Sequence, residues 1–306
     1  MKKIHISTTM NLSIAGHADI DFVDVAKNDD TRLFIDPCLI EVGEDPFSMR
    51  CQQVIQDYFE CLCKVYGERR HNPAFLCHLG ERNEARLGYG TGTNGKAKTP
   101  LGMDETLNGL HDLIVRGIPL NGVIDIPLMM PHFAEDCMSD MLVNVLYKQF
   151  SEFTLEQCTK YGIKAEPIKV PRYFWDDAKH SWSIYVGNCL VIDGEVILLI
   201  PKKYVSPSFY YSTSRFFMSK IATVLQKERT SVLNGKEVSP RKVDIRRDEC
   251  KLFGSMVEAT RMHAQHMPQI LDDYHKDLKK EYRDRVMSDR ELDEQVYGIS
   301  LGEVVA

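Results

Sequence analysis

WSIYVGNCLVIDGEVILLI, residues 182–200, places two apolar, β-rich runs on either side of Asp193-Gly194. Asp and Gly reach positive φ readily, which the tight two-residue turn of a hairpin requires. The stretch therefore predicts strands over 182–192 and 196–200 joined as a hairpin. Working outward, the first 36 residues also read as β. Ile4 and Ile6, then Ile20, Phe22 and Val25, then Leu33 to Ile35 form short apolar stretches, with Lys27-Asn28-Asp29-Asp30 supplying a turn. After Pro46 the period changes: Cys51, Val54, Ile55, Tyr58, Phe59, Leu62, Val65 and Tyr66 repeat at i, i+3, i+4, i+7 and stop at Gly67, which predicts an amphipathic helix.

Residues 78–101 read as loop, with glycines at 80, 88, 90, 92 and 95 and Pro100 closing the run. A short strand is expected over Val123–Met130 and a helix from about Asp140 to Tyr161, ended by Gly162. Beyond the hairpin, helices resume near Ser214, run through Asp248 to Ala264, and end in a charged helix. Leu271, Tyr274, Leu278, Tyr282 and Val286 form one narrow seam along it. Ser288-Asp289-Arg290-Glu291 has the form of a capping box.

This succession lacks the strict βαβ alternation of a Rossmann or barrel fold. It predicts a mixed α/β, or α+β, architecture: a central mixed sheet with a β-hairpin, packed by helices, and a helical C-terminal region. Asn234-Gly235 and Ser239-Pro240 punctuate a polar stretch and suggest a boundary, giving a core domain over 1–240 and a helical region over 241–306. Such a seam must be covered, by the protein's own core or by another chain; one side chain wide per turn, it fits a helix-to-helix contact, which favours a homo- or hetero-oligomer.

Hydrophobic residues at 43% and charged residues at 27% exclude disorder and collagen-like repeats. No run of 18 apolar residues is present, and Ile4–Ala18 offers no apolar signal segment, so a cytoplasmic protein without a membrane span is expected. Nine cysteines without a CxxC pair fit a reduced compartment. Cys61 and Cys63, two apart on a helix, point to different sides and read as core or boundary residues. The net charge of −6 is uneven: residues 1–150 carry −7 and residues 151–306 carry +1. Residues 201–251 hold twelve Lys+Arg against five acids, and there a polyanion would be sought.

Several constellations could carry chemistry. Gly90 to Lys96 matches GxxxxGK, but Ala97 stands where a phosphate-binding loop needs Ser or Thr, and Pro100 follows too soon for a helix. A plain glycine loop is the expected state, with Lys96 and Lys98 reaching a phosphate as the functional alternative. Asp136, Asp140 and Asn144 are spaced by four and, if helical from 136, share one face with hard oxygen donors suited to Mg²⁺. The competing reading makes Ser139 an N-cap and Asp140 a partner of the helix dipole. Glu81 and Glu84, with His78 nearby, are explained equally by a surface turn. Asp36 suits either a catalytic carboxylate at a strand end or the cap of the next segment. Lys202 and Lys203 follow an apolar strand, as the lysine of metal-dependent nucleases does, yet Ile200 and Pro201 replace the expected acid. Tyr204, Phe209, Tyr210, Tyr211, Phe216 and Phe217 lie among basic residues, where rings could stack on single-stranded nucleic acid. The spacing of Phe216 and Phe217 with Ile221, Val224 and Leu225 favours the core instead. His263 and His266 lack a third metal ligand nearby, and neither GxSxG nor HExxH occurs.

Four stretches together, LFIDP (33–37), GERNEARLGYG (80–90), DCMSDMLVN (136–144) and LLIPKK (198–203), resemble uncharacterised bacterial proteins encoded near phage-defence genes. The resemblance implies a defence component working with an ATPase or another protein of an assembly; a relation to PD-(D/E)XK nucleases lies one step further. The leading expectation is a Mg²⁺-dependent nuclease acting on DNA. In it Asp136 and Asp140 hold the metal, Lys202 contacts the scissile phosphate, and Lys203, Arg246, Arg247 and Lys96 bind the nucleic acid. The alternative is a non-enzymatic sensor or scaffold that binds protein partners.

Overall fold

The computed structural model describes residues 3–80, 82–89, 99–130 and 132–298. In chain order it begins with the short helix α1 (Ile6–Thr9), strand β1 (Phe34–Ile35), α2 (Pro37–Glu41) and the long α3 (Pro46–Glu68). Then come α4 (Pro100–Leu107), α5 (Gly109–Val115), α6 (Asp125–Met129), α7 (Glu135–Val145) and α8 (Tyr147–Lys160). The β-rich middle comprises β2 (Glu166–Pro167), β3 (Arg172–Asp176), β4 (Ser181–Tyr185), β5 (Asn188–Ile192), β6 (Glu195–Ile197) and β7 (Val205–Ser206). Helices α9 (Thr213–Phe216) and α10 (Ala222–Glu228) flank a π-helical turn, and β8 (Ser231–Leu233) and β9 (Lys236–Val238) form a hairpin. The chain finishes with α11 (Lys242–Phe253), α12 (Met256–His266), α13 (Gln269–Tyr282) and α14 (Asp289–Tyr297). The fold is α+β with a helical C-terminal region. No helix among the described residues is long and apolar enough to cross a membrane.

The strands do not assemble into one central sheet. Among the described residues they form four small antiparallel sheets: β1 with β7, β2-β5-β6, β3 with β4, and β8 with β9. The Asp193-Gly194 turn stands as predicted, with φ of 49° and 86° and Ile192 paired to Glu195. The run 182–192 is broken at Val186-Gly187, however. Its first half turns back to pair with β3, and its second half becomes β5. Gly187 permits the break, because a Cβ there would lie 2.9 Å from the Tyr185 hydroxyl.

Two other expectations are corrected. Among the described residues up to 36, only β1 is a strand; Ile6, Ile20, Phe22 and Val25 are buried, but Ile6 opens α1 and the segment makes isolated bridges, such as Phe22 to Pro201 and His5 to Ala26, rather than ladders. Their alternation recorded burial without pairing. The run 123–130 is helical at 125–129, because Asp125 turns the chain by accepting the Asn121 and Gly122 amides on Oδ2. An apolar run of that length does not by itself separate strand from buried helix.

The α3 helix is the spine of the core. Cys51, Val54, Ile55, Tyr58, Phe59, Leu62 and Tyr66 are buried along it, and Asp45 caps it by accepting the Ser48 amide. The C-terminal seam joins the same core: Leu271, Tyr274, Leu278 and Tyr282 are buried, and only Val286 is exposed. The surface reserved for a partner helix is thus covered by this chain itself, with α13 lying against α2.

Candidate functional site: an arginine-lined cleft

The cleft is built from the segment Arg82-Asn83-Glu84-Ala85-Arg86, which ties the N-terminal region to the β2-β5-β6 sheet. Leu198 donates its amide to the Glu84 carbonyl (2.8 Å), while Thr31 donates to the Arg86 carbonyl and accepts from Gly88. Arg86 adopts φ of 52°, a left-handed conformation uncommon for a non-glycine residue. Beneath this segment, α7 supplies Asn144, which is fully buried. Its amide nitrogen donates to the Gly80 and Asp140 carbonyls (2.7 and 2.8 Å), leaving Oδ1 to accept from Arg82 Nε at 2.6 Å. Arg82 then lies 5.2 Å from the Tyr147 ring centroid, a cation–π contact.

Across the cleft, Arg172 at the start of β3 donates Nε to Glu84 Oε1 at 2.7 Å, and Arg82 Nη1 lies 4.0 Å from the same oxygen. One carboxylate therefore holds two guanidinium groups. Arg86 pairs with Glu195 of β6, and its buried Nε has no hydrogen-bond partner. Lys169 completes the basic set, and Ile168, Val170, Val191 and Val196 provide apolar wall. The cleft, half open to solvent, offers a space of about 640 Å³, within the range of roughly 300–1,000 Å³ typical of small-molecule sites. Burial pulls the Arg82 guanidinium below its ordinary value, with Glu84 opposing that shift. Four cations against two acids, with planar guanidinium forks on partly desolvated arginines, suit oxyanions such as phosphate or carboxylate.

The residues singled out from sequence are dispersed. Asp136 and Asp140 sit half-buried one turn apart on α7, which reaches back to Glu135 as their pairing requires. Asn144 is not available as a third oxygen donor, because Oδ1 serves Arg82 and the amide serves the backbone. Ser139 is no N-cap; Ala134 holds that position, and Ser139 Oγ accepts the Ile35 amide at 3.1 Å. Lys202 lies in a 3₁₀ turn rather than at a strand end, donating to Asp289 Oδ1 at 2.5 Å and to the His17 carbonyl. Lys203 pairs with Asp45. Arg246 and Arg247 are exposed on α11, where Arg247 meets Asp244 at 3.1 Å. Lys96, with the glycine motif and Glu81, lies outside the described residues.

The basic segment 201–251 is largely engaged within the chain. Lys202, Lys203, Arg215, Lys220, Arg229, Arg241 and Arg247 all form ion pairs. Its rings are equally committed, since Tyr204, Tyr211, Phe216 and Phe217 are buried. His263 pairs with Glu249 at 2.6 Å, whereas His266 bonds the Met262 carbonyl. His78 stacks on Tyr173 at 3.5 Å. Asp36 is the N-cap of α2, accepting the Cys38 amide at 3.0 Å.

Sequence reasoning missed Arg82, Arg86, Lys169 and Arg172. The available signal was the spacing of two arginines around an acid in Arg82-Asn83-Glu84-Ala85-Arg86, but Lys169 and Arg172 enter only through the return of β3.

No curated protein matches the chain, and no solved structure does. One family does match, a domain of unknown function, DUF8370, over residues 11–212. That span includes every residue lining the arginine cleft, and the chain belongs to the DUF8370 family.

Proposed function

We propose that the protein is a ligand-binding sensor subunit that takes a phosphorylated small molecule of nucleotide size into the arginine cleft. The observation that carries this reading is the convergence of Arg82, Arg86, Lys169 and Arg172 on one space of about 640 Å³. Buried Asn144 and half-buried Glu84 hold the Nε edges of Arg82 and Arg172 and so preorganise them. The resemblance of the four sequence stretches to proteins encoded near phage-defence genes is what favours a role for such a sensor in a bacterial antiviral assembly. Thermal unfolding with nucleoside mono-, di- and triphosphates tests the binding step. A ligand present at a hundred times its Kd adds about 2.7 kcal/mol by linkage. We expect a rise in midpoint that Arg172→Ala and Arg82→Ala abolish, and a nucleotide-dependent increment that shrinks when inorganic phosphate already fills the cleft. A rise that persists in both variants, or none with any phosphate compound, refutes the reading.

The nuclease reading keeps one supporting observation: α7 carries Asp136 and Asp140 on one face, as a Mg²⁺ pair would need. It would further require Lys202 to leave Asp289 and reach a phosphate held by those acids. Mg²⁺-dependent cleavage of duplex DNA, lost in Asp140→Asn and kept in Arg172→Ala, would favour it over the sensor.

A further inference from the structure

Helix α3 carries Asp57 and Cys61 one turn apart, so both side chains project from the same side of the helix. The turn between β3 and β4 brings His180 to them, with its Nδ1 at 2.5 Å from Asp57 Oδ2. The donor atoms of Asp57, Cys61 and His180 all lie within 4.8 Å of one another. Zn²⁺ binds such N, S and O donors at about 2.0–2.3 Å, which puts neighbouring donors roughly 3–4 Å apart. Metal binding would replace the His180–Asp57 hydrogen bond, opening that 2.5 Å contact to the donor spacing of a bound ion while Cys61 draws closer; His180, whose side chain is 67% exposed, has room to turn.

The surroundings hold the set in place. Trp175, buried in the core, donates Nε1 to Asp57 Oδ1 at 2.6 Å and fixes the carboxylate from behind, as outer partners of metal ligands do. Arg50 of α3 grips Asp177 in the same turn through two nitrogens, Nη1 at 2.6 Å and Nη2 at 2.5 Å, and so docks the turn on the helix. His180 itself adopts φ of 50°, a left-handed conformation that aims the ring back toward α3.

We propose that Asp57, Cys61 and His180 form a binding site for a transition-metal dication of the Zn²⁺ class, with solvent in the fourth position. On binding, Asp57 Oδ2 and His180 Nδ1 each coordinate the ion, the imidazole carrying its proton on Nε2. Cys61 coordinates as thiolate, its proton passing to solvent. Three protein donors and one open position match the pattern of accessible zinc centres. The site lies at the turn end of the β3–β4 hairpin, whereas Arg172 joins the cleft from the opposite end of β3, so the two sites are separate.

The test uses the full chain, reduced and stripped of metal, titrated with Co²⁺ and then Zn²⁺. We expect one equivalent of Co²⁺ to give a thiolate-to-cobalt charge-transfer band that one equivalent of Zn²⁺ bleaches. Cys61→Ser removes the band, and His180→Ala, an exposed change that leaves the circular dichroism intact, weakens binding at least tenfold. Cys77→Ser, at an exposed cysteine outside the set, leaves the titration unchanged. The proposal is overturned if no saturable band forms, if the band survives Cys61→Ser, or if it disappears in Cys77→Ser.

Discussion

Asp36 sits where three donors meet: the Cys38 amide on Oδ1, and the Tyr282 and Ser206 hydroxyls on Oδ2 at 2.9 and 3.3 Å. These bonds favour the ionised carboxylate, yet complete burial outweighs them and pushes the carboxyl up to about 7. A carboxyl raised in the fold stabilises fully below its unfolded value, near 4, and that contribution is lost as the pH rises through 7. The upper bound is on the order of 4 kcal/mol. We expect the stability of the wild type relative to Asp36→Asn to shrink between pH 4.5 and 8, measured by urea unfolding at each pH. A constant difference would mean that Asp36 is ionised throughout. Of the two sequence readings of this residue, the cap is the one visible in the fold, since burial leaves the carboxyl no exposure. No local pattern foretold that Tyr282, 246 residues away, would donate to it.

At the scale of elements, signals written within a few residues were legible. The Ser288–Glu291 capping box is present in full, with Ser288 Oγ accepting the Glu291 amide and Glu291 returning a bond to the Ser288 amide. Ser288→Ala should therefore cost about 1 kcal/mol, read as a lower urea midpoint with an unchanged cleft. The periodicity of α3 and the Asp193-Gly194 turn were legible for the same reason: both depend on spacing alone. Pairing partners were not, because β1 finds β7 across 170 residues and β3 reaches β4 only after the 182–192 run breaks. The α13 seam shows the same limit, since amphipathic spacing says that a face is covered but not by what. Leu278 is 2% exposed within the core, so Leu278→Asp places a charge in an apolar interior. We expect it to lower stability by several kcal/mol, seen as loss of the cooperative unfolding transition rather than as a change in assembly by light scattering.

For the whole molecule, the uneven charge of the sequence is answered largely inside the chain. Lys220 and Arg215 face Asp277 and Glu281 of α13, Lys202 faces Asp289 of α14, and Lys203 faces Asp45. A basic run marks excess charge, and it cannot reveal that later helices return to meet it. The same helices reach past the family boundary at residue 212 to close the N-terminal region. His17, fully buried, pairs with Asp293 at 2.6 Å, Tyr297 donates to Asp24 at 2.9 Å, and Tyr282 donates to Asp36. Removing residues 213–306 would leave Asp36, Asp24 and His17 without these partners and expose the apolar surface that Leu271, Tyr274 and Leu278 now cover. Each of these groups keeps a nearer partner, Cys38 and Ser206 for Asp36, Ser7 for Asp24 and the Asp24 amide for His17, so each loses a hydrogen bond worth about 0.5–1.5 kcal/mol; the exposed apolar surface adds about 25 cal/mol per Å², against the roughly 5–15 kcal/mol that holds an ordinary domain together. We therefore expect a chain ending at residue 212 to show no cooperative thermal transition by circular dichroism, although it contains every residue of the arginine cleft. The full chain should unfold in one step that includes α13 and α14. If the shorter chain melts cooperatively and still binds phosphate compounds, the C-terminal helices are an addition to a self-sufficient domain, and the buried contacts of His17 and Asp36 contribute little to its stability.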